Sequence, residues 1–209
     1  MDNVVGIVSA LGVILLGVAL FVAVALHRKR TIETSGYEKI DAADSAIVAL
    51  TAALFDTEPT EIHQRKDPSG QSWLVFVDTG DSESSGCVMV VFRAEHDAES
   101  SAVLLRSGLR IPKFFRKLEG GVLAWTKPLD DSEASDLAGT GWFAYKGSSQ
   151  DLSSSFKKRL FSVVRIPQSK ALLGIAVIDP YLVIWSDAAR IKSLLVAAPL
   201  VRTALQQSG

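Results

Sequence analysis

Three histidines, one cysteine and a short acidic run are the residues of this chain whose types could do chemistry. His27, His63 and His96 are far apart and none belongs to an H-x-x-x-H ligand pair, so they offer no zinc site. Glu95-His96-Asp97-Ala98-Glu99 gathers carboxylate oxygens that suit a hard cation, but it lacks the spaced Asp/Asn ladder and glycine of a calcium loop. It reads as a solvated hairpin tip. Cys87 as a nucleophile needs a base and a depressed pKa. Instead it opens the apolar run CVMVVFRA, where a free thiol behaves as a small hydrophobe. Serines are plentiful without a G-x-S-x-G elbow, and Ser153-Ser154-Ser155 reads as a helix start. Gly120-Gly121 has neither a G-x-G-x-x-G nor a G-K-[ST] context, so it forms no phosphate cradle. The expectation is no catalytic residue, no metal ligand and no cofactor.

A stretch rich in cations is the more informative surface feature. Arg106, Arg110, Lys113, Arg116 and Lys117 fall within twelve positions that contain no acid and include Ile111, Phe114 and Phe115. On a domain held near a bilayer, such a segment can lie on anionic lipid head groups, with each well-placed cation contributing about 1 kcal/mol. It can equally meet an acidic protein. The plainer alternative puts Ile111, Phe114 and Phe115 in the core and leaves the cations solvated. No basic-aromatic RNA-recognition signature is present, so nucleic acid is not an expected partner.

What would hold the domain near a bilayer is the N-terminal segment. Val4 to Leu26 is a run of 23 residues without a charge, which as a helix measures roughly 35 Å against a hydrocarbon core of about 30 Å. A cleaved signal would want a basic N-terminus and a shorter apolar stretch. Here the N-terminus is Met1-Asp2-Asn3, and the cations Arg28, Lys29 and Arg30 all follow the run. Cations that flank a span stay on the cytoplasmic side, so the expected topology is an N-terminus outside, one transmembrane helix and a cytoplasmic C-terminal domain in the inner (plasma) membrane. Gly12, Ala19 and Ala23 share one helix face and form a small-residue stripe of the kind that lets helices pack closely in lipid.

Composition bounds the remainder. The single cysteine excludes an internal disulfide or a cysteine-based zinc site, as suits a reducing compartment. Asn3, the one asparagine, has no Ser or Thr two positions on, so there is no N-glycosylation acceptor. Residues 31–105 carry four Lys or Arg against fourteen Asp or Glu, whereas residues 106–209 carry fifteen against eight. Two faces with separate partners, or two halves that pair inside one fold, would each produce this asymmetry; the second is the simpler expectation.

The elements follow from periodicity. Residues 1–30 read as the anchor with its basic flank, 31–40 as a juxtamembrane linker and 41–209 as one domain. Asp41 is placed to cap a helix through Ile47, Leu50 and Leu54 that stops at Glu58-Pro59. Trp73 to Val77, Cys87 to Ala94 and Ser101 to Arg106 are strand-like and closely spaced, which suits an antiparallel meander. A short strand follows at Val122 to Thr126, then a loop or helical turn from Pro128 through Asp136, a strand from Gly141 to Lys146 and a capped helix over Asp151 to Leu160. The close is a hairpin, Leu172 to Ile178 and Tyr181 to Trp185 around Asp179-Pro180. A final helix capped by Ser186 or Asp187 follows, which Pro199 should kink or end. No internal repeat is visible.

Leu109-Arg-Ile-Pro112-Lys-Phe114, Trp142-Phe-Ala-Tyr145-Lys-Gly147 with the following Phe156 to Leu160 helix, and the Gly174 to Trp185 hairpin with its terminal helix together resemble a pattern in uncharacterised bacterial membrane-anchored proteins. The resemblance covers about half the chain. It implies a spanning helix before a soluble α+β domain of no assigned activity, and it carries over no functional residue.

The expected fold is therefore α+β: one N-terminal transmembrane helix, then a single cytoplasmic domain with a mainly antiparallel sheet packed by two or three helices. The expected function is a non-enzymatic accessory or scaffold subunit of a larger membrane complex, whose partners are other membrane protein subunits and the lipid bilayer. The alternatives are a membrane-tethered ligand- or lipid-sensing domain and a membrane-anchored hydrolase built from residues such as His96, Asp97 and Glu99.

Overall fold

The computed structural model of the protein describes residues 2–41, 44–67, 70–78, 86–93, 101–106, 126–130, 132–147 and 151–206, with side chains from residue 13 onward. It divides into two compact units, Met1–Glu38 and Lys39–Gly209.

The first unit is α1 (Asp2–Thr34), one continuous helix of 33 residues. It runs four residues into the segment read as linker. Thr31 and Thr34 return their hydroxyls to the carbonyls of His27 and Arg30, and Lys29 pairs with Glu33 one turn on. The end is closed by Gly36 at φ 75° and by amides of Ser35, Gly36 and Tyr37 turning back onto Ile32 and Glu33, a glycine-terminated helix stop. Among the described residues no helix is long and apolar enough to cross a membrane.

The second unit is built on one sheet of nine strands in the order β1-β2-β3-β4-β9-β8-β5-β7-β6. The strands are β1 (Glu38–Lys39), β2 (Pro59–Asp67), β3 (Gly70–Val77), β4 (Cys87–Arg93), β5 (Ala102–Arg106), β6 (Thr126–Pro128), β7 (Trp142–Gly147), β8 (Gly174–Ile178) and β9 (Tyr181–Asp187). Every pairing from β2 to β6 is antiparallel.

The central strands are buried on both faces, which is why they read as unbroken apolar runs rather than alternating ones. On one face Trp73, Val75, Val77, Met89, Val91 and Trp185 pack with Ile47, Leu50, Leu54 and Phe55 of α2 (Ser45–Phe55). The intervening residues Leu74, Val88, Val90, Phe92, Ile184 and Leu182 point the other way and are equally buried. That second face lies under α3 (Ser154–Val164) and α4 (Ile191–Gln206), which pack on each other. The α+β class, the antiparallel sheet and its packing by three helices are thus as the sequence implies.

Several boundaries differ from the expected ones for local reasons. Asp44, not Asp41, caps α2: its carboxylate accepts from the Ala46 amide at 3.0 Å. Ser153, not Asp151, caps α3, accepting from the Phe156 amide, which frees Asp151 for another role. β2, with sequence PTEIHQRKD, has too little apolar content to announce itself, and among its described side chains only Ile62 and His63 are buried. The meander is interrupted: β3 and β4 are neighbours, but β9 and β8 lie between β4 and β5. A buried strand needs a backbone partner along each edge, and β9 of the β8–β9 hairpin provides it for the edge of β4 that β3 leaves open. This hairpin, whose Asp179–Pro180 peptide is cis, and the Asp187 cap on Ala189 match the sequence reading.

Pro199 does not end α4, which continues to Gln206. Proline in a helix interior costs about 3 kcal/mol. Here it sits on the exposed side while Leu194, Ala197, Ala198, Val201 and Leu205 bury the other, and that burial holds the helix together.

Candidate functional site

Two residues singled out by chemistry are buried in the sheet. Cys87 lies between Val77 and Asp187 in the ladder, 3% exposed, with Sγ donating to the Ser186 carbonyl at 3.4 Å. Burial, reinforced by the Asp187 carboxylate, pushes its thiol far above the ordinary range, so it packs as an apolar group. His63 sits opposite Leu74 on β2, with its ring edge-on to Phe76 at 5.9 Å. Its Nε2 is 3.0 Å from Oε1 of Glu61, which also lies 4.0 Å from the Lys39 ammonium. This is a polar line along the β1–β2 edge. Among the described residues no group of three His, Cys, Asp or Glu side chains could hold a metal ion.

A second polar group joins β7 to α3. The Lys146 ammonium donates to Asp151 at 2.8 Å and to Glu133 at 3.1 Å, and Lys157 approaches Glu133 at 3.7 Å. Asp130 Oδ1 accepts from the Ser132 hydroxyl and the Glu133 amide, which sets the loop that presents Glu133. The hydrogen bond to Lys146 holds the Asp151 carboxyl below its ordinary range, and the bond to Asp151, then that to Glu133, raises Lys146. These contacts clamp a loop and a helix to the sheet. The acidic and basic halves interleave in one sheet through β4–β9 and β5–β8.

The third group is a gathering of cations. At one end of the sheet β4 begins, β9 ends, β5 ends at Arg106 and β7 begins at Trp142. The Ser186 hydroxyl donates to the Ala171 carbonyl at 2.6 Å, the Leu173 amide to Trp185, the Arg106 amide to Leu173 and the Arg106 guanidinium to the Lys170 carbonyl. These bonds fix the 3₁₀ turn Pro167–Ala171 beside the end of β5, and the Ala188 amide, donating to the Gly86 carbonyl, sets the turn Ala188–Arg190 at the start of β4. Ser169 bonds back to Val164 and Ile166, which brings the C-terminus of α3 and Arg165 to the same corner. Arg165, Lys170, Arg190 and Lys192 are exposed there, with Arg106 half-buried behind them. Over residues 152–178 and 188–206 the sequence has eight cations and no carboxylate. Asp187 caps Ala189 beside this corner, and Asp78 follows Val77, the partner of Cys87 at the same end of the sheet.

Of the stretch expected to contact a membrane or partner, only Arg106 is described; Arg110, Lys113, Phe114, Phe115, Arg116 and Lys117 lie outside the described residues. So do His96, Asp97, Glu99 and the strand expected from Val122, apart from Thr126, which opens β6. Of the helix-packing stripe, Ala19 and Ala23 are exposed, and Gly12 precedes the described side chains. The corner at Arg165, Lys170, Arg190 and Lys192 was not read from sequence. The one available signal was the absence of acids from two separate segments.

No protein-family model matches the chain, and no curated protein matches it. Among solved structures it is similar in fold to the mycobacterial trehalose monomycolate transport factor A, TtfA, with a TM-score of 0.59 over 88% of this chain and 94% of that one. The sequences are 9% identical, so the likeness is one of architecture.

Proposed function

We propose that this chain is a non-enzymatic accessory or scaffold subunit of a larger membrane protein complex, anchored by one transmembrane helix over Val4 to Leu26. Its N-terminus lies outside and its domain on the cytoplasmic face of the inner membrane. The observation that carries the reading is α1 itself: an unbroken helix of 33 residues that contains the whole apolar run Val4 to Leu26, followed by Arg28, Lys29 and Arg30. The fold supports it further, since the mycobacterial transport factor TtfA has a similar architecture. Gly12, Ala19 and Ala23 are the residues through which the span would meet a neighbouring helix.

The test is purification of the native protein from its own membranes in mild detergent, with co-migrating subunits identified by mass spectrometry. Stoichiometric recovery in one large complex is the expected outcome. Recovery in the soluble fraction would overturn the anchor, and recovery as a lone monomer or homodimer would overturn the subunit role.

A further inference from the structure

We propose that the cationic corner of the helical layer, formed by Arg165, Lys170, Arg190 and Lys192, docks on the anionic head groups of the bilayer that α1 enters. The proposal rests on the anchored reading above and adds the face that the domain turns to the membrane. Three observations carry it.

Charge is the first. The layer made by α3, the two 3₁₀ turns and α4 has eight cations and no acid between 152 and 178 or between 188 and 206, so even with the Asp187 carboxylate that caps Ala189 beside it its cations outnumber its acids and leave a net positive field. The second is position. The chain joins the domain at Lys39 and Ile40, where the Ile40 amide donates to the Ile62 carbonyl at 3.1 Å. From Ile62 the register runs straight across the sheet through Val75, Met89, Trp185 and Gly174 to Leu105, the residue before Arg106. The tether therefore joins the sheet in the register row that ends beside Arg106. The third is the apolar surface beside the charges. Val196 and Leu200 are 53% and 43% exposed, on the outward stripe of α4 that begins at Lys192. Cations flanking exposed aliphatic residues on a helix suit a lipid interface, where the charges meet phosphates and the aliphatic groups enter the head-group boundary. An acidic soluble protein would use the charges and leave those two residues without a role.

The experiment uses the full chain in nanodiscs. Gln168, exposed in the first 3₁₀ turn, is changed to cysteine and labelled with a donor dye, while the buried Cys87 stays unlabelled in the folded chain. Acceptor dyes sit on the lipid head groups. Energy transfer is expected to rise about twofold when phosphatidylglycerol replaces zwitterionic lipid. The gain should vanish in molar salt, where the Debye length falls to about 3 Å, and in a variant carrying R165E, K170E, R190E and K192E. The milder K170Q/K192Q pair, which should lose part of the gain, serves if the reversed chain misfolds. Equal transfer in both lipids at low salt would overturn the proposal, as would a gain that survives charge reversal. A response to added polyglutamate without one to phosphatidylglycerol would assign the corner to an acidic protein instead. A chain that does not enter the discs at all overturns the anchor, not the corner. The corner is then scored by flotation with phosphatidylglycerol vesicles, where failure to bind overturns it too.

Discussion

The contact between Gly174 and Trp185 offers the most exacting check on the packing of the sheet. Gly174 opens β8 directly opposite Trp185 of β9, and a methyl group at Gly174 would lie 2.1, 2.5 and 2.6 Å from the indole Cζ2, Cε2 and Cη2 atoms. The indole is rigid, so it has to move as a whole by about 1.5 Å to recover van der Waals separation. That movement disturbs its edge-on contact with Phe55, whose ring centroid is 5.9 Å away at 84°. Overpacking of this kind costs about 1–3 kcal/mol and a lost aromatic pair about 0.5–1.5 kcal/mol, so Gly174→Ala is expected to destabilise by roughly 2–4 kcal/mol. Such a loss is a large fraction of an ordinary domain's stability of about 5–15 kcal/mol. The assay is urea unfolding of the full chain in mild detergent, followed by far-ultraviolet circular dichroism. Trp185→Phe removes the overlapping atoms, so the double variant should be more stable than the sum of the single effects by about 1.5 kcal/mol. A Gly174→Ala chain within about 0.5 kcal/mol of the parent, or strict additivity with Trp185→Phe, would refute the packing argument.

Pro199→Ala restores a helical amide in the exposed middle of α4 and should raise the urea midpoint by the equivalent of about 1–3 kcal/mol with unchanged slope; a lower midpoint would contradict the account of α4. Cys87 should react with N-ethylmaleimide at least about a hundredfold more slowly in the folded chain than in urea, because burial keeps the thiol protonated and covered; fast native labelling would show the end of β4 to be open. In the Lys146 group, a depressed Asp151 contributes stability that is present above its unfolded pKa and lost as pH falls through the lower folded one. A raised Lys146 contributes stability present below its unfolded pKa and lost as pH rises through the folded one. Lys146→Met should therefore flatten the melting temperature against pH at both the acidic and the strongly alkaline ends, and an unchanged profile would mean that the pairs seen in the fold are not held in solution.

The sequence by itself determined the elements whose signal is local. The apolar run ending in Arg28, Lys29 and Arg30, the unbroken runs of β3 and β4, the β8–β9 hairpin around Asp179–Pro180 and the Asp187 cap all depend on residues within a few positions of one another. Capping and boundary choices were less legible, because Asp41 competes with Asp44, and Asp151 with Ser153, at the same helix starts; only the angle at which each chain segment arrives selects one. β2 was illegible because a polar strand near the sheet edge buries too little to leave a period. The tertiary structure alone decided the order of the sheet, since the backbone edge of β4 can pair with any strand and its uniformly apolar side chains mark no particular one, and short spacing between β4 and β5 permits a hairpin without requiring one. It alone decided that Pro199 is tolerated, because the burial of Leu194, Val201 and Leu205 outweighs one missing hydrogen bond. It also decided where the charges meet. Arg106, Lys170 and Arg190 are far apart in the chain and become neighbours through the Ser186, Leu173, Arg106 and Ala188 hydrogen bonds, which no local pattern encodes.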